Sequence, residues 1–336
     1  MPRRPAATIA DVAARAGVSR ATVSRALNGT AQVTPATRAK IDQAIAETGF
    51  VTSAVGRALA TGRTEAIAVL LTETLDELFV DPTYATILRG ITDQLGTTPY
   101  LPVLLQAATP AEYDRALRHL SRRAVDAVIA LSPYTGTPLL EALAELGLPV
   151  VLCGQVRDEP WQRHFTTIYA DDEAGAEQAA RALWTRGRTD VVALLGPASN
   201  PAAEDRLTGY RRGLPGKLGP ERIVWTGWDE ESGRAAMVEL LRRQPELDGV
   251  LAASDRLAAG ALAALRTAGR RVPADVSVIG FDDHALAAHT QPPLTTIRQP
   301  LRTQGQLAAR AALDLLAGGA PERIVLPMEL VTRDSV

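Results

Sequence analysis

Residues 19–28, Ser-Arg-Ala-Thr-Val-Ser-Arg-Ala-Leu-Asn, carry Arg20, Thr22, Ser24, Arg25 and Asn28 on one polar face of a short helix, with Val23 and Leu27 on the apolar side. Arginine can give two parallel hydrogen bonds to guanine O6 and N7, whereas hydroxyls and amides suit phosphate oxygens. The pattern therefore suits reading a nucleic acid. Bond-making chemistry finds no such support. There is no glycine-rich phosphate loop ending in Lys-Ser/Thr and no Gly-x-Ser-x-Gly elbow. The four histidines, His119, His164, His284 and His289, lack metal-ligand spacing and read as surface or packing residues. The single cysteine, Cys153, rules out an intramolecular disulfide and a cysteine zinc site, and Pro-Val-Val-Leu-Cys-Gly reads as the buried end of a strand. No catalytic residue, metal or cofactor is expected.

The elements around the polar face read as a helix-turn-helix. Thr8 with Asp11 three residues later is a capping-box-like start, and Ile9, Val12, Ala13 and Ala16 form one apolar stripe. Gly17 supplies the turn, and Ser19 caps the second helix, which ends at Asn28-Gly29. Thr34-Pro35 opens a third helix that turns Ile41, Ala44 and Ile45 inward and stops at Gly49. The second helix is the one expected in a major groove. Charge agrees with this reading. The whole chain of 336 residues carries a net charge of −2, but residues 1–64 hold nine Arg and Lys against three acids, leaving the rest strongly acidic. A basic module on an acidic body fits phosphate binding at one end.

Residues 51–64 read as a hinge in which Ser53 could cap about two helical turns; a helix this short is marginal alone, and Gly56 lowers its propensity further. Beyond it, apolar runs at 66–71, 100–105, 127–131 and 149–152, then at 191–195, 223–226, 249–253 and 276–280, alternate with Ala/Leu/Arg-rich helical segments. This rhythm predicts two doubly wound parallel-sheet subdomains with a ligand between them at the carboxyl ends of the strands. No apolar run approaches a membrane span, and no apolar segment follows the basic start, so a cytoplasmic location is expected.

The string Thr-Ile-Ala-Asp-Val-Ala-Ala-Arg-Ala-Gly-Val-Ser-Arg-Ala-Thr-Val-Ser-Arg-Ala-Leu-Asn-Gly closely resembles the headpiece of the lac-repressor family. The resemblance continues through Ala-Ala-Ser-Asp-Arg-Leu-Ala-Ala-Gly-Ala, Val-Pro-Ala-Asp-Val-Ser-Val-Ile-Gly-Phe-Asp-Asp and Pro-Pro-Leu-Thr-Thr-Ile-Arg-Gln-Pro. It implies a helix-turn-helix headpiece (1–50), a hinge (51–64) and a periplasmic-binding-protein-like body (65–336). It places the chain's passages between subdomains near 164, 292 and 324, giving one subdomain of about 65–163 and 293–323 and another of about 164–292 and 324–336. Arg20, Ala21 and Arg25 take the family's base-reading positions. Thr8, Ser19, Thr22, Ser24, Asn28, Thr34 and Arg57 complete the expected DNA contacts, and Leu59 holds the position of a minor-groove wedge. Family members usually have alanine where this chain has Gly56.

The same resemblance points to an effector site at Arg206, Trp228, Asp255 and Asp282, with Phe79, Tyr84 and Ser132 from the other subdomain. Carboxylates and guanidinium groups pair with sugar hydroxyls, and an aromatic ring stacks on a sugar's apolar face. Asp255 also fits a helix cap. The family's usual acidic contact near this point is here Gly154. The segment from Glu77 to Tyr84 resembles the branch that regulates uptake of cellobiose and related oligosaccharides. The expectation is a homodimeric regulator without a tetramerising tail, which leaves a palindromic operator when a di- or oligosaccharide binds. A nucleobase-sensing regulator of the same architecture stays open. A transporter's solute-binding protein would need a signal peptide and no basic headpiece, and both features go against it.

Overall fold

The computed structural model describes residues 7–28, 33–51, 56, 58, 61–131, 138–155 and 162–336. It divides into two compact units, Met1–Ala66 with Ala124–Asp126, and Ile67–Arg123 with Ala127–Val336.

The first unit contains three helices whose ends are set by single residues. Thr8 caps α1 (Ile9–Ala16) in a full capping box: its side chain accepts the Asp11 N–H, and its own N–H donates to the Asp11 carboxylate at 2.8 Å. Gly17 ends α1 at φ 67°, a left-handed conformation that costs glycine nothing. The Ser19 hydroxyl accepts the Thr22 N–H at 3.1 Å and opens α2 (Arg20–Asn28). Thr34 caps α3 (Pro35–Thr48), with the proline in the first turn where its missing N–H is harmless, and Gly49 closes it. Val12, Ala13, Val23, Ala26, Ile41 and Ala44 form the buried core. In the segment that follows, Gly56 and Ala58 are helical, and the Gly62 N–H donates to the Ala58 carbonyl at 2.8 Å. Arg57 and Leu59 lie outside the described residues.

In the second unit the chain runs β1 (Ala66–Leu71), α4 (Leu75–Val80), α5 (Pro82–Leu95), β2 (Leu101–Gln106), α6 (Pro110–Ser121), β3 (Ala127–Leu131), α7 (Pro138–Glu145), β4 (Val150–Cys153) and β5 (Thr166–Ala170). It continues through α8 (Asp172–Trp184), β6 (Val191–Leu195), α9 (Pro201–Gly213), β7 (Ile223–Trp225), α10 (Glu230–Arg243), β8 (Gly249–Ala252), α11 (Asp255–Thr267) and β9 (Ser277–Asp282). The last elements are β10 (Thr295–Arg298), α12 (Leu301–Leu316), β11 (Arg323–Leu326) and β12 (Glu329–Val331). One sheet has the order β11-β5-β4-β3-β1-β2 and the other β12-β10-β9-β8-β6-β7. Parallel pairing links β1 to β3, β3 to β4, β4 to β5 and β5 to β11; β12 joins β10 antiparallel at the edge of the second sheet. The central strands are buried along their whole length, as strands covered by helices on both faces must be. Each sheet has its own apolar core, one including Ile67, Ile129 and Ile168, the other Leu194, Leu251 and Ile279.

The passages between sheets fall somewhat later than the sequence reading placed them. β5 still pairs with the first sheet, β10 with the second and β11 with the first. Each strand completes the sheet the chain is leaving, so the crossings follow Ala170, Arg298 and Leu326 rather than positions near 164, 292 and 324. Among the described residues no helix is long and apolar enough to cross a membrane.

Candidate functional site

In the first unit, the three acids of the headpiece helices are all engaged, two of them with arginines. Glu47 pairs with Arg15, Asp42 with Arg38 at 3.3 Å, and Asp11 is taken up by the Thr8 cap. Arg38 also donates to the Ala26 carbonyl at 2.6 Å, which ties α3 to α2. Arg20 and Arg25 are exposed and pair with no acid among the described residues. Ala21 is exposed beside them, while Thr22 and Ser24 are half-buried. The hydroxyls of Thr8, Ser19 and Thr34 cap helix starts, and the Thr22 hydroxyl lies 2.8 Å from that of Ser19. Among the described residues, α2 thus carries two guanidinium forks with no acidic partner. The Asn28 side chain lies outside the described residues.

In the second unit a cleft of about 910 Å³, counted with its open mouth, lies between the two sheets. Cys153 and Gly154 at the end of β4, Ala170 at the end of β5 and Asp282 at the end of β9 line it. Cleft walls at the carboxyl ends of parallel strands are where open α/β folds bind ligands.

Arg206 of α9 is the centre of the site. Its Nε donates to Asp172 at 2.7 Å, and its Nη1 donates to the Ala253 carbonyl and lies 3.5 Å from Asp282. The guanidinium sits 3.9 Å from the centroid of the Phe281 ring and 5.6 Å from that of Trp228. Burial opposes the charge of Arg206, but Asp172 and Asp282 outweigh it and hold the group protonated. The carboxyls of Asp172 and Asp282 are pushed up by burial, which their shared guanidinium only partly offsets. Trp228 packs against Gly196, where any Cβ would come within 2.2 Å of the indole; only glycine leaves room for the ring.

Asp282 and Asp283 both have positive φ, 110° and 57°. Such backbone costs of order ~1–3 kcal/mol per residue and needs surrounding contacts to hold it. Those contacts are present, and they divide the two carboxylates. Asp282 accepts from the Gln299 side chain at 2.5 Å and faces Arg206, whereas Asp283 accepts from Arg298 at 2.7 Å and from Arg333 at 2.5 Å. The strain aims one acid into the cleft and anchors the other outside it.

Of the expected effector residues, Tyr84, Arg206, Trp228 and Asp282 line the cleft. Phe79 does not: α4 turns Leu78 into the core and Glu77 toward the cleft, leaving Phe79 87% exposed. Asp255 does not either. It is fully buried, accepting the His284 N–H at 2.8 Å and the Thr296 hydroxyl at 2.5 Å, while the cap of α11 is Ser254. Ser132 lies outside the described residues. Sequence reasoning missed Asp172, Gln155, Asn200 and Gln299. Asp172 follows Asp171, which caps α8, and Asn200 itself caps α9, so the sequence signal of each is that of a helix start. Burial pushes the Cys153 thiol up to about 12, in keeping with a packing role. Among the described residues no cluster of His, Cys, Asp or Glu could hold a metal.

A helix-turn-helix with exposed arginines, and a two-leaved cleft with buried polar groups, together define a ligand-responsive DNA-binding regulator. Residues 8–53 match the family model for bacterial regulatory proteins of the lacI family, and residues 180–336 that for a periplasmic binding protein-like domain. The HTH-type transcriptional regulator CelR of Thermobifida fusca is 38% identical over 340 residues, covering 100% of both chains. A solved transcriptional regulator CelR–cellobiose complex matches with a TM-score of 0.78 and 36% identity, over 99% of this chain and 100% of that one. The lac repressor dimer bound to operator and the anti-inducer ONPF matches with a TM-score of 0.85 and 28% identity, over 98% and 99%. The chain belongs to the lacI family of bacterial regulatory proteins: it is a DNA-binding transcription regulator, not an enzyme.

Proposed function

We propose that the protein is a cytoplasmic homodimeric repressor that holds a palindromic operator through α2 and releases it when a glucose-based di- or oligosaccharide enters the cleft. The observation that carries the ligand class is the buried Asp172–Arg206–Asp282 group beside Trp228. Two carboxylates and a fixed guanidinium offer paired acceptors and donors to vicinal hydroxyls, and the indole offers a face to the sugar ring. The cellobiose held by the similar regulator supports the same reading. Arg20 and Arg25 act as base readers, with the capping hydroxyls of Thr8, Ser19 and Thr34 near phosphates. Exposed apolar residues on α4 (Leu75, Phe79, Val80) and on the edge strand β2 (Leu101, Leu104) support association with a second copy.

A ligand shifts operator affinity only through its different affinity for two states of the protein. The test is calorimetry with cellobiose, longer cello-oligosaccharides, other disaccharides and purines, alongside operator release. Sugar binding that weakens operator affinity is the expected result. Binding of a purine with no sugar response would overturn the saccharide assignment; sugar binding that tightens operator affinity would make the sugar a corepressor.

A further inference from the structure

Arg256 lies at the second position of α11 and is 9% exposed. It is not part of the cleft lining, yet its guanidinium crosses from the second subdomain to the first. Nη1 lies 2.5 Å from Glu77 of α4 and 3.7 Å from Asp81, the residue that caps α5. Glu77 and Asp81 both line the cleft. A second contact grips the same corner: the His284 Nε2 lies 3.1 Å from the Thr83 hydroxyl. The buried carboxylate of Asp255, next to Arg256 in sequence, accepts the His284 N–H, so one acid braces the backbone that carries both contacts.

We propose, on the reading of the cleft as a saccharide site, that Arg256 is a positioning residue: a clasp that orients Glu77 and Asp81 and draws α4 toward the second subdomain. Electrostatics gives the reason. Asp172 and Asp282 already share Arg206 on one wall. Without Arg256, two more carboxylates would face them with no guanidinium between, Asp81 keeping the Thr83 N–H at 2.8 Å and His284 at 4.0 Å. Like charges across a cleft oppose its closure. With Arg256 in place each pair of acids brackets one guanidinium. Glu77 and Asp81 are then held as oriented acceptors, which lowers the ordering cost a ligand must meet.

The experiment compares Arg256→Met and Arg256→Lys with the wild type in the full-length protein. Cellobiose affinity is measured by calorimetry, thermal stability by melting, and the exchange of α4 backbone amides in the ligand-free protein by mass spectrometry. Arg256→Met should raise the cellobiose Kd about tenfold or more and speed α4 exchange, with a smaller fall in melting temperature than Arg206→Met gives, because Glu77 and Asp81 face the cleft and can hydrate. Arg256→Lys should recover part of the affinity, because it keeps the charge and loses the planar fork. Adding Glu77→Gln to Arg256→Met should cost less than the two separate losses combined, because the two side chains act as one pair. An Arg256→Met protein that binds cellobiose with wild-type affinity overturns the clasp, and so does unchanged α4 exchange. If Arg256→Met does not fold, Arg256→Lys carries the same comparison against the wild type. A wild-type protein that binds no saccharide overturns the ligand reading instead, and α4 exchange still judges the clasp.

Discussion

The two candidate sites treat arginine in opposite ways. On α2, Arg20 and Arg25 are exposed and pair with no described acid, because Glu47, Asp42 and Asp11 of the headpiece helices are spent on Arg15, Arg38 and the Thr8 cap. In the cleft, Arg206 is 5% exposed and set between two aspartates. An unpaired, hydrated guanidinium is suited to meeting a polyanion, since the partner supplies the missing charge. A buried guanidinium already neutralised has its direction fixed and no charge to spare, which suits a neutral, polyhydroxylated ligand. Under the proposed function, the contrast lets one chain with a net charge of −2 meet both DNA and an uncharged effector.

The largest test of this contrast is Arg206→Met. It leaves Asp172 and Asp282 buried without their partner, and breaking a buried ion pair in this way costs about 3–5 kcal/mol. Thermal or urea melts should show that loss in the body, together with a loss of sugar binding beyond calorimetric detection. Because α2 belongs to the other compact unit, non-specific DNA binding should survive at temperatures where the protein is folded. A stable Arg206→Met protein with normal sugar affinity would mean that the guanidinium organises nothing.

The next test moves to the exposed arginines. Arg25→Ala should lose about 1–3 kcal/mol of discrimination between operator and random DNA, with no change in melting temperature. Equilibrium binding to both DNAs at one salt concentration measures this. An unchanged affinity ratio would remove Arg25 from the base readers and leave it a phosphate contact.

The same contrast governs what could be read before the structure. Thr8, Gly17, Ser19, Thr34 and Gly49 set the headpiece helices through bonds to residues at most a few positions away, so residue types in order were sufficient. In the body, the strand runs were legible because buried parallel strands are continuous apolar stretches. The passages between sheets were displaced because only pairing shows which sheet a strand completes. The cleft was half legible. Arg206, Trp228, Tyr84 and Asp282 stood at marked places, but Phe79 and Glu77 share one short helix, and nothing in their order says which of them faces inward. Asp255 has the composition of a ligand contact, yet its partners, His284 and Thr296, are 29 and 41 residues away. Arg256 belongs to the same class, since its partners are 179 and 175 positions back in the chain.

A smaller effect concerns the aromatic wall. Gly196→Ala would put a Cβ against the Trp228 indole, which must tilt or move away. The expected cost is the stacking contribution alone, about 0.5–1.5 kcal/mol of sugar affinity, with operator binding by the ligand-free protein unchanged. Calorimetry of this variant beside Trp228→Ala separates a displaced ring from a missing one. Equal losses in the two would show that the ring's position matters as much as its presence.

The finest test is acidification, because the carboxyls of the two regions are shifted in opposite directions. Asp11 is held below its ordinary value by the Thr8 backbone N–H and then by the Thr8 hydroxyl, and Glu47 by the Gln43 amide, against the pull of burial, and by Arg15. A depressed folded-state pKa contributes stability above the unfolded value, and that contribution is lost as pH falls through the folded value. The headpiece acids therefore keep their protons off until the solution is more acidic than the ordinary carboxylate range. Asp172 and Asp282 are raised by burial, so they take up protons above the ordinary aspartate value of 3.8. For them the sign reverses: the folded state binds protons more readily than the unfolded chain, its relative stability is greatest at low pH, and it declines as pH rises through the raised values. Protonation replaces an acceptor that faces the ligand with a donor. Sugar affinity should then weaken as pH falls from 7 toward 4, while the α1 cap and the fold of the headpiece persist over that range. Calorimetry across pH, paired with amide exchange in α1, reads both halves. Asp11→Asn should lower headpiece stability at pH 7, and its effect should shrink as pH falls below the ordinary carboxylate range. Headpiece unfolding at a higher pH than the loss of sugar binding would reverse the assignment of which region holds the raised carboxyls.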